Sequence, residues 1–131
     1  MSTEHNKQLV IGYIHSLNQK KLDLEEFLDP GFVLHNPLQP GVNHFASARQ
    51  YLADSLVSFP DQLSTIEDLV AEGDKVVCRY SVRATHKRDF RGLPATGKQI
   101  TFRGIAIYRI SGEKIQEEWF VSLPGSDDGV W

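Results

Sequence analysis

The apolar pattern changes period once along this chain, at Phe59-Pro60-Asp61, and that change constrains the fold more than any single motif. Before it, apolar residues recur at helical spacing. Leu9, Val10, Tyr13, Ile14 and Leu17 mark one stripe, with Ser2 or Thr3 placed to cap it. A second helical piece is predicted over 22–28, closed by the turn signal Asp29-Pro30-Gly31, and the apolar run Phe32-Val33-Leu34 follows. After a loop through His35-Asn36-Pro37, Pro40 and Gly41, a third helix starts at Asn43 or Ser47. Phe45, Ala48, Tyr51, Leu52 and Leu56 lie on its buried side.

Beyond Phe59 the period is that of strands. The segments 62–71, 75–85, 99–110 and 114–122 read as strands, with turns at Glu72-Gly73-Asp74 and Ser111-Gly112-Glu113 and a loop over 87–98. Helices first and strands afterwards imply an α+β architecture, a single domain over residues 1–131 in which about three N-terminal helices pack into a strongly curved antiparallel sheet. A length of 131 residues suits one domain, and seven Phe, four Tyr and two Trp supply the apolar area that disordered chains lack. The tail from Pro124 reads as loose apart from Trp131.

Charge and composition exclude several classes of partner. The net charge is −3, and the densest basic stretch, His86-Lys87-Arg88-Asp89-Phe90-Arg91, is interrupted by a carboxylate; no nucleic acid is expected. No window approaches the roughly 18 apolar residues of a membrane helix, so no membrane partner is expected either. With one cysteine, Cys78, and no apolar signal region at the start, the expected location is cytoplasmic. His5, His15, His44 and His86 lack metal-ligand spacing, so no metal is expected. Ser-His-Asp, P-loop and dinucleotide motifs are missing as well. The strand 101–110 is apolar on both faces, with Phe102, Gly104, Ala106 and Tyr108 on one and Ile105 and Ile107 on the other. That pattern predicts a homodimer through the sheet.

Several stretches together resemble one family. His35-Asn36-Pro37, Phe59-Pro60-Asp61, Ile66 to Val76, Arg79, Thr85-His86, Gly92 to Lys98, Gly104, Tyr108-Arg109-Ile110 and Gly112 to Trp119 stand in the order and spacing of the SnoaL-like polyketide cyclases, or ester cyclases. The resemblance implies the α+β cone shared with nuclear transport factor 2, scytalone dehydratase and ketosteroid isomerase, around a deep, mostly apolar pocket. It also implies an intramolecular aldol step run by a carboxylate acid/base, without metal or cofactor. Four positions depart from the family pattern. Ala106 and Phe120 stand where many relatives carry His or Asp and Asp, Leu123 where many carry a second Asp, and Glu118 where His is frequent.

Strand alternation puts Gln116, Glu118, Phe120 and Ser122 on one side and Ile115, Glu117, Trp119 and Val121 on the other. The family's polar pocket positions fall on the first side. Glu118 is therefore the candidate acid/base, against the bland reading of a surface carboxylate beside Lys or Arg. His35, at the expected cone mouth, either donates to a ligand carbonyl or orders its loop. Arg79 either binds a ligand carboxylate, pairs with Glu118 or forms a plain surface or interface ion pair. Tyr13, Tyr51, Phe59, Phe102, Tyr108 and Phe120 line the pocket or fill the core. The partner implied is a small hydrophobic ligand. Two main functions follow: acid/base chemistry on an apolar carbonyl compound, of the isomerase, cyclase or dehydratase kind, or binding of a hydrophobic metabolite without turnover. A dimeric scaffold with a filled interior is a third.

Overall fold

The computed structural model describes residues 2–125, with side chains through residue 123; the expectation for Trp131 lies outside that range. Helix α1 spans Thr3–Asn18, and the Ser2 hydroxyl caps it by accepting from the His5 backbone at 3.0 Å. Val10, Tyr13 and Ile14 face inward from it. The helix predicted over 22–28 is only one 3-10 turn, Leu24–Glu26. Leu24 and Leu28 are both 1% exposed, and Leu28 already pairs with Ile115 of the sheet, so the chain must extend there.

The first strand, β1, is therefore Leu28–His35 and contains the Asp29-Pro30-Gly31 signal inside it. The turn chemistry survives as an irregularity in the ladder between Leu28 and Val33, where Gly31 N donates to Asp29 Oδ2 at 2.8 Å. Pro30 is tolerated because β1 is an edge strand. Helix α2 spans Phe45–Ser58, within the predicted start, and the His44 backbone donates to Ser47 Oγ at 3.1 Å at its entry. The remaining strands are β2 (Leu63–Glu72), β3 (Lys75–Thr85), β4 (Gln99–Ser111) and β5 (Lys114–Gly125), close to the sequence reading.

The sheet order is β1-β5-β4-β3-β2. Three pairings are antiparallel as expected, but β1 runs parallel to β5, so the sheet is mixed. A parallel pair needs a long crossover, and here nearly the whole chain between the two strands supplies it. Helix α1 packs on β2 and β3, and α2 on β1, which leaves one sheet face inside and the other uncovered among the described residues. Tyr13, Phe32, Leu34, Cys78, Ala106 and Ile115 are among the inward side chains of the core.

One irregularity decides which β5 residues face inward. Ile110 pairs with Ile115 but Arg109 pairs with Glu117, so Gln116 is an extra residue on β5. The bulge turns Ile115 inward, where it is fully buried, instead of outward beside Glu117 as strict alternation predicts. Beyond the bulge the predicted alternation holds, with Glu118, Phe120 and Ser122 on the inner face. The hairpin that sets this register turns through Gly112 and Glu113 at φ of 58° and 65°, the two positive values that a tight twisted hairpin demands.

Candidate functional site

Between the two helices and the inner sheet face lies a cavity of about 620 Å³, within the usual size range of small-molecule sites. The cone interior is not filled. Seven of the nine candidate site residues border it: Glu118, Tyr13, Tyr51, Phe59, Phe102, Tyr108 and Phe120. Its walls are mainly aromatic and aliphatic, and Leu38 and Leu93, at 66% and 61% exposed, carry its apolar lining out to the surface.

Glu118 is the charged chemistry of this cavity. It pairs across the sheet with Tyr108 on one side and Leu34 on the other, so protein surrounds its stem while the carboxyl borders the cavity. Among the described residues no cation or hydrogen-bond donor reaches that carboxyl, and burial alone pushes its pKa up to about 8. The same charge is felt by its neighbours. Burial first, and then Glu118, holds Tyr13 and Tyr108 well above the ordinary tyrosine value and lifts Cys78 to about 11. Cys78 is accordingly an unreactive thiol in the core.

His35 and Arg79 are not brought to Glu118. Leu34 takes the inward position opposite Glu118, so His35, the next residue, points to the outer face and lies opposite Trp119. Its ring stacks on the Trp119 indole at 5.1 Å and 6°, and its Nε2 meets Glu117 Oε2 at 2.6 Å. That hydrogen bond first, and Arg109 second, hold Glu117 below the usual carboxylate range against a partial burial effect. Arg79 also lies outside the cavity. It bonds Asp68 through Nη2 at 2.6 Å and Nε at 2.7 Å, which is the ion-pair alternative among its three readings.

The sequence reading missed most of the polar residues of the cavity, among them Tyr80, Ser122 and His86. Tyr80 and Ser122 reach it from the inner faces of β3 and β5. Alternation with Cys78 already put Tyr80 on the inner face, yet its depth depends on strand pairing. His86 is 4% exposed and stacks on Phe59 at 4.8 Å, with no partner for its Nε2 among the described residues. No group of three or more potential metal ligands occurs among the described residues, and none of the helices is long and apolar enough to cross a membrane.

The outer face carries a broader concavity of about 910 Å³, bordered by Val33, His35, Ile105, Ile107, Trp119 and Val121. Its side chains are apolar at the centre, with the His35–Glu117–Arg109 chain alongside.

Comparison with known proteins agrees with this architecture. The family model for SnoaL-like polyketide cyclase matches residues 7–122. Aklanonic acid methyl ester cyclase DauD of Streptomyces sp. (strain C5) is 29% identical over 117 residues, covering 83% of this chain and 70% of that protein. The structure of IdmH from Streptomyces antibioticus, a candidate polyketide cyclase, superposes with a TM-score of 0.79 at 27% identity, covering 89% of this chain and 91% of IdmH. A candidate polyketide cyclase from Acidithiobacillus ferrooxidans gives 0.78 at 29% identity, covering 93% and 91%. AclR of Streptomyces galilaeus, a candidate hydroxylase, shares the fold at a TM-score of 0.81 and 24% identity, covering 92% of this chain and 80% of AclR. A matched segment that holds most of α1, all of α2, nearly the whole sheet and the cavity with Glu118 makes this chain a member of the SnoaL-like polyketide cyclase family.

Proposed function

We propose that the cavity performs acid/base chemistry on an apolar carbonyl compound, with Glu118 as the group that moves the proton. The observation that carries this reading is an unpartnered carboxyl facing an apolar cavity, with its pKa near 8. Such a group exists in both protonation states near neutral pH, so it can remove a proton beside a carbonyl and return it elsewhere on the same molecule. Isomerisation, ring closure by an aldol step, and dehydration all use that pair of transfers. Glu118 stands two residues before Phe120 on the same strand face, where many relatives carry Asp. The carboxylate is thus displaced along the face rather than absent.

The test uses 5-nitrobenzisoxazole, which reports a carboxylate base in an apolar site without knowledge of the natural substrate. Glu118 takes the proton from its C3, the N–O bond breaks, and a nitrile and a phenolate form. The rate is expected to rise with pH around a midpoint near 8, because the base must be ionised. Glu118→Gln is expected to lower it by about 10²–10⁴-fold. An equal rate in both proteins overturns the reading. Aklanonic acid methyl ester, the compound in the name of DauD, is the first ring-closure substrate to try.

Ala106 and Phe120 favour a second reading, in which the cavity only binds a hydrophobic metabolite. Phe120 lines the cavity and Ala106 is fully buried beside it, both apolar where many relatives are polar. Turnover in the wild type that Glu118→Gln removes decides against it.

The outer face supports a homodimer. A two-fold interface must be self-complementary, and this face combines an apolar centre with internally paired polar groups, His35 and Arg109 with Glu117 and Arg79 with Asp68. Ile105 and Val121, directly paired and 45% and 56% exposed, sit at its middle. Light scattering on the Ile105→Asp, Val121→Asp double variant is expected to give the monomer mass where the wild type gives a dimer.

A further inference from the structure

We propose that Tyr80 and Ser122 form a second polar subsite of the cavity, which recognises a hydroxyl or carbonyl oxygen on the ligand remote from the carbonyl handled at Glu118. The ligand class is then an elongated, apolar-centred molecule with an oxygen function at each end. The inference rests on the cavity being the ligand site, as in the proposed function, and it adds a pole that neither Glu118 nor the aromatic walls supply.

Three strands build the subsite. Tyr80, Gly104 and Ser122 lie in one cross-strand row over β3, β4 and β5. A Cβ added at Gly104 would stand 2.6 Å from the Tyr80 hydroxyl and 2.7 Å from its ring carbon. The tyrosine thus lies across the glycine, spanning the strand between itself and Ser122. The glycine leaves the space, and the ring fills it. Burial first raises the Tyr80 hydroxyl, to about 12 in all, and the Ser122 hydroxyl beside it works the other way. Two hydroxyls that both border the cavity offer a ligand oxygen a donor and an acceptor at one place.

The rows separate the two poles. Glu118 pairs with Tyr108, Phe120 with Ala106, and Ser122 with Gly104, all on the inner face. Four residue steps of strand, about 13 Å between Cα atoms, separate Glu118 from Ser122. The row between them, Phe120 with Ala106, is apolar on its cavity side. The polar–apolar–polar sequence along one face is complementary to a ligand of the same pattern. Gain from a neutral hydrogen bond in such a site is modest for affinity and large for orientation.

The test compares 6-acetyl-2-naphthol with 2-acetylnaphthalene, two fluorescent probes that differ only in the distal hydroxyl. In the wild type the hydroxyl is expected to tighten binding about tenfold, the scale of one well-placed hydrogen bond. Tyr80→Phe is expected to abolish that difference while moving the affinity of 2-acetylnaphthalene less than about threefold. Ser122→Ala is expected to reduce the difference to about threefold, because the subsite keeps only one of its two hydroxyls. Glu118→Gln is expected to leave the difference intact. A difference that survives Tyr80→Phe, equal weakening of both probes by it, or no binding of either probe overturns the subsite. Loss of the difference in Tyr80→Phe alongside an unchanged benzisoxazole rate in Glu118→Gln would leave the subsite standing and remove only the proton-transfer role.

Discussion

Glu118→Gln is expected to flatten the pH dependence of stability and to make the protein more stable than wild type at alkaline pH. The carboxyl titrates near 8 in the folded chain and near 4.5 when unfolded. Below about pH 4.5 both states hold the proton, and Glu118 contributes no pH dependence. Between 4.5 and 8 the folded state retains a proton that the unfolded state has released, so raising the pH favours unfolding. The slope approaches about 1.4 kcal/mol per pH unit within that window, and the cumulative cost by pH 9 is roughly 3–5 kcal/mol. Asp61 and Glu117 carry lowered pKa values, from the Thr85 and His35 hydrogen bonds respectively, and titrate below the window, while the buried tyrosines titrate above it. Urea denaturation of both proteins at pH 5, 7 and 9 measures the effect. Parallel stability curves for the two proteins would mean that Glu118 is solvated and that the cavity assignment fails.

Gly104→Ala is expected to destabilise the protein by about 3 kcal/mol, at the upper end of the overpacking range. The added methyl would meet the Val121 carbonyl oxygen at 2.5 Å and the Tyr80 hydroxyl at 2.6 Å. Tyrosine can rotate away only by abandoning Ser122, and the carbonyl belongs to the strand paired with β4, so it yields only if the sheet opens. Gly41→Ala is the control, because no atom lies within 4 Å of the methyl it would add. Denaturant midpoints for the two variants are expected to differ accordingly. Similar midpoints would show that the sheet accommodates a side chain at 104 and that Tyr80 is not held there.

Local chemistry accounts for what the sequence made legible. Four strands and both long helices follow from hydrophobic period, and their ends from capping Ser2 and Ser47 and from the Gly73 and Gly112 turns. Alternation put Glu118 and Phe120 on one face, because side chains alternate strictly wherever a strand is regular, and the family's pocket positions marked that face as the cavity side. Family-like spacing named the fold. The pocket aromatics were legible as a set, since an apolar stripe on a helix and one on a strand face must meet somewhere.

Tertiary pairing decided the rest. Nothing local distinguishes a helix over 22–28 from one turn followed by an edge strand; the contest was settled by Leu28 joining Ile115 far along the chain. His35 and Glu118 are candidates for one site in the sequence, His35 at the expected cone mouth and Glu118 on the pocket face of its strand. The parallel register of β1 on β5 instead puts Leu34 beside Glu118 and sends His35 to the opposite face. The bulge at Gln116 likewise depends on how β5 aligns with β4. The Tyr80–Gly104–Ser122 row joins residues from three strands, and no window of sequence contains it. The sequence by itself determined which residues are apolar, which elements form and that one carboxylate faces inward. Only the tertiary structure decided which polar side chains share a cavity, because strand register, set by long-range pairing and by single-residue bulges, moves a side chain from one face of the sheet to the other.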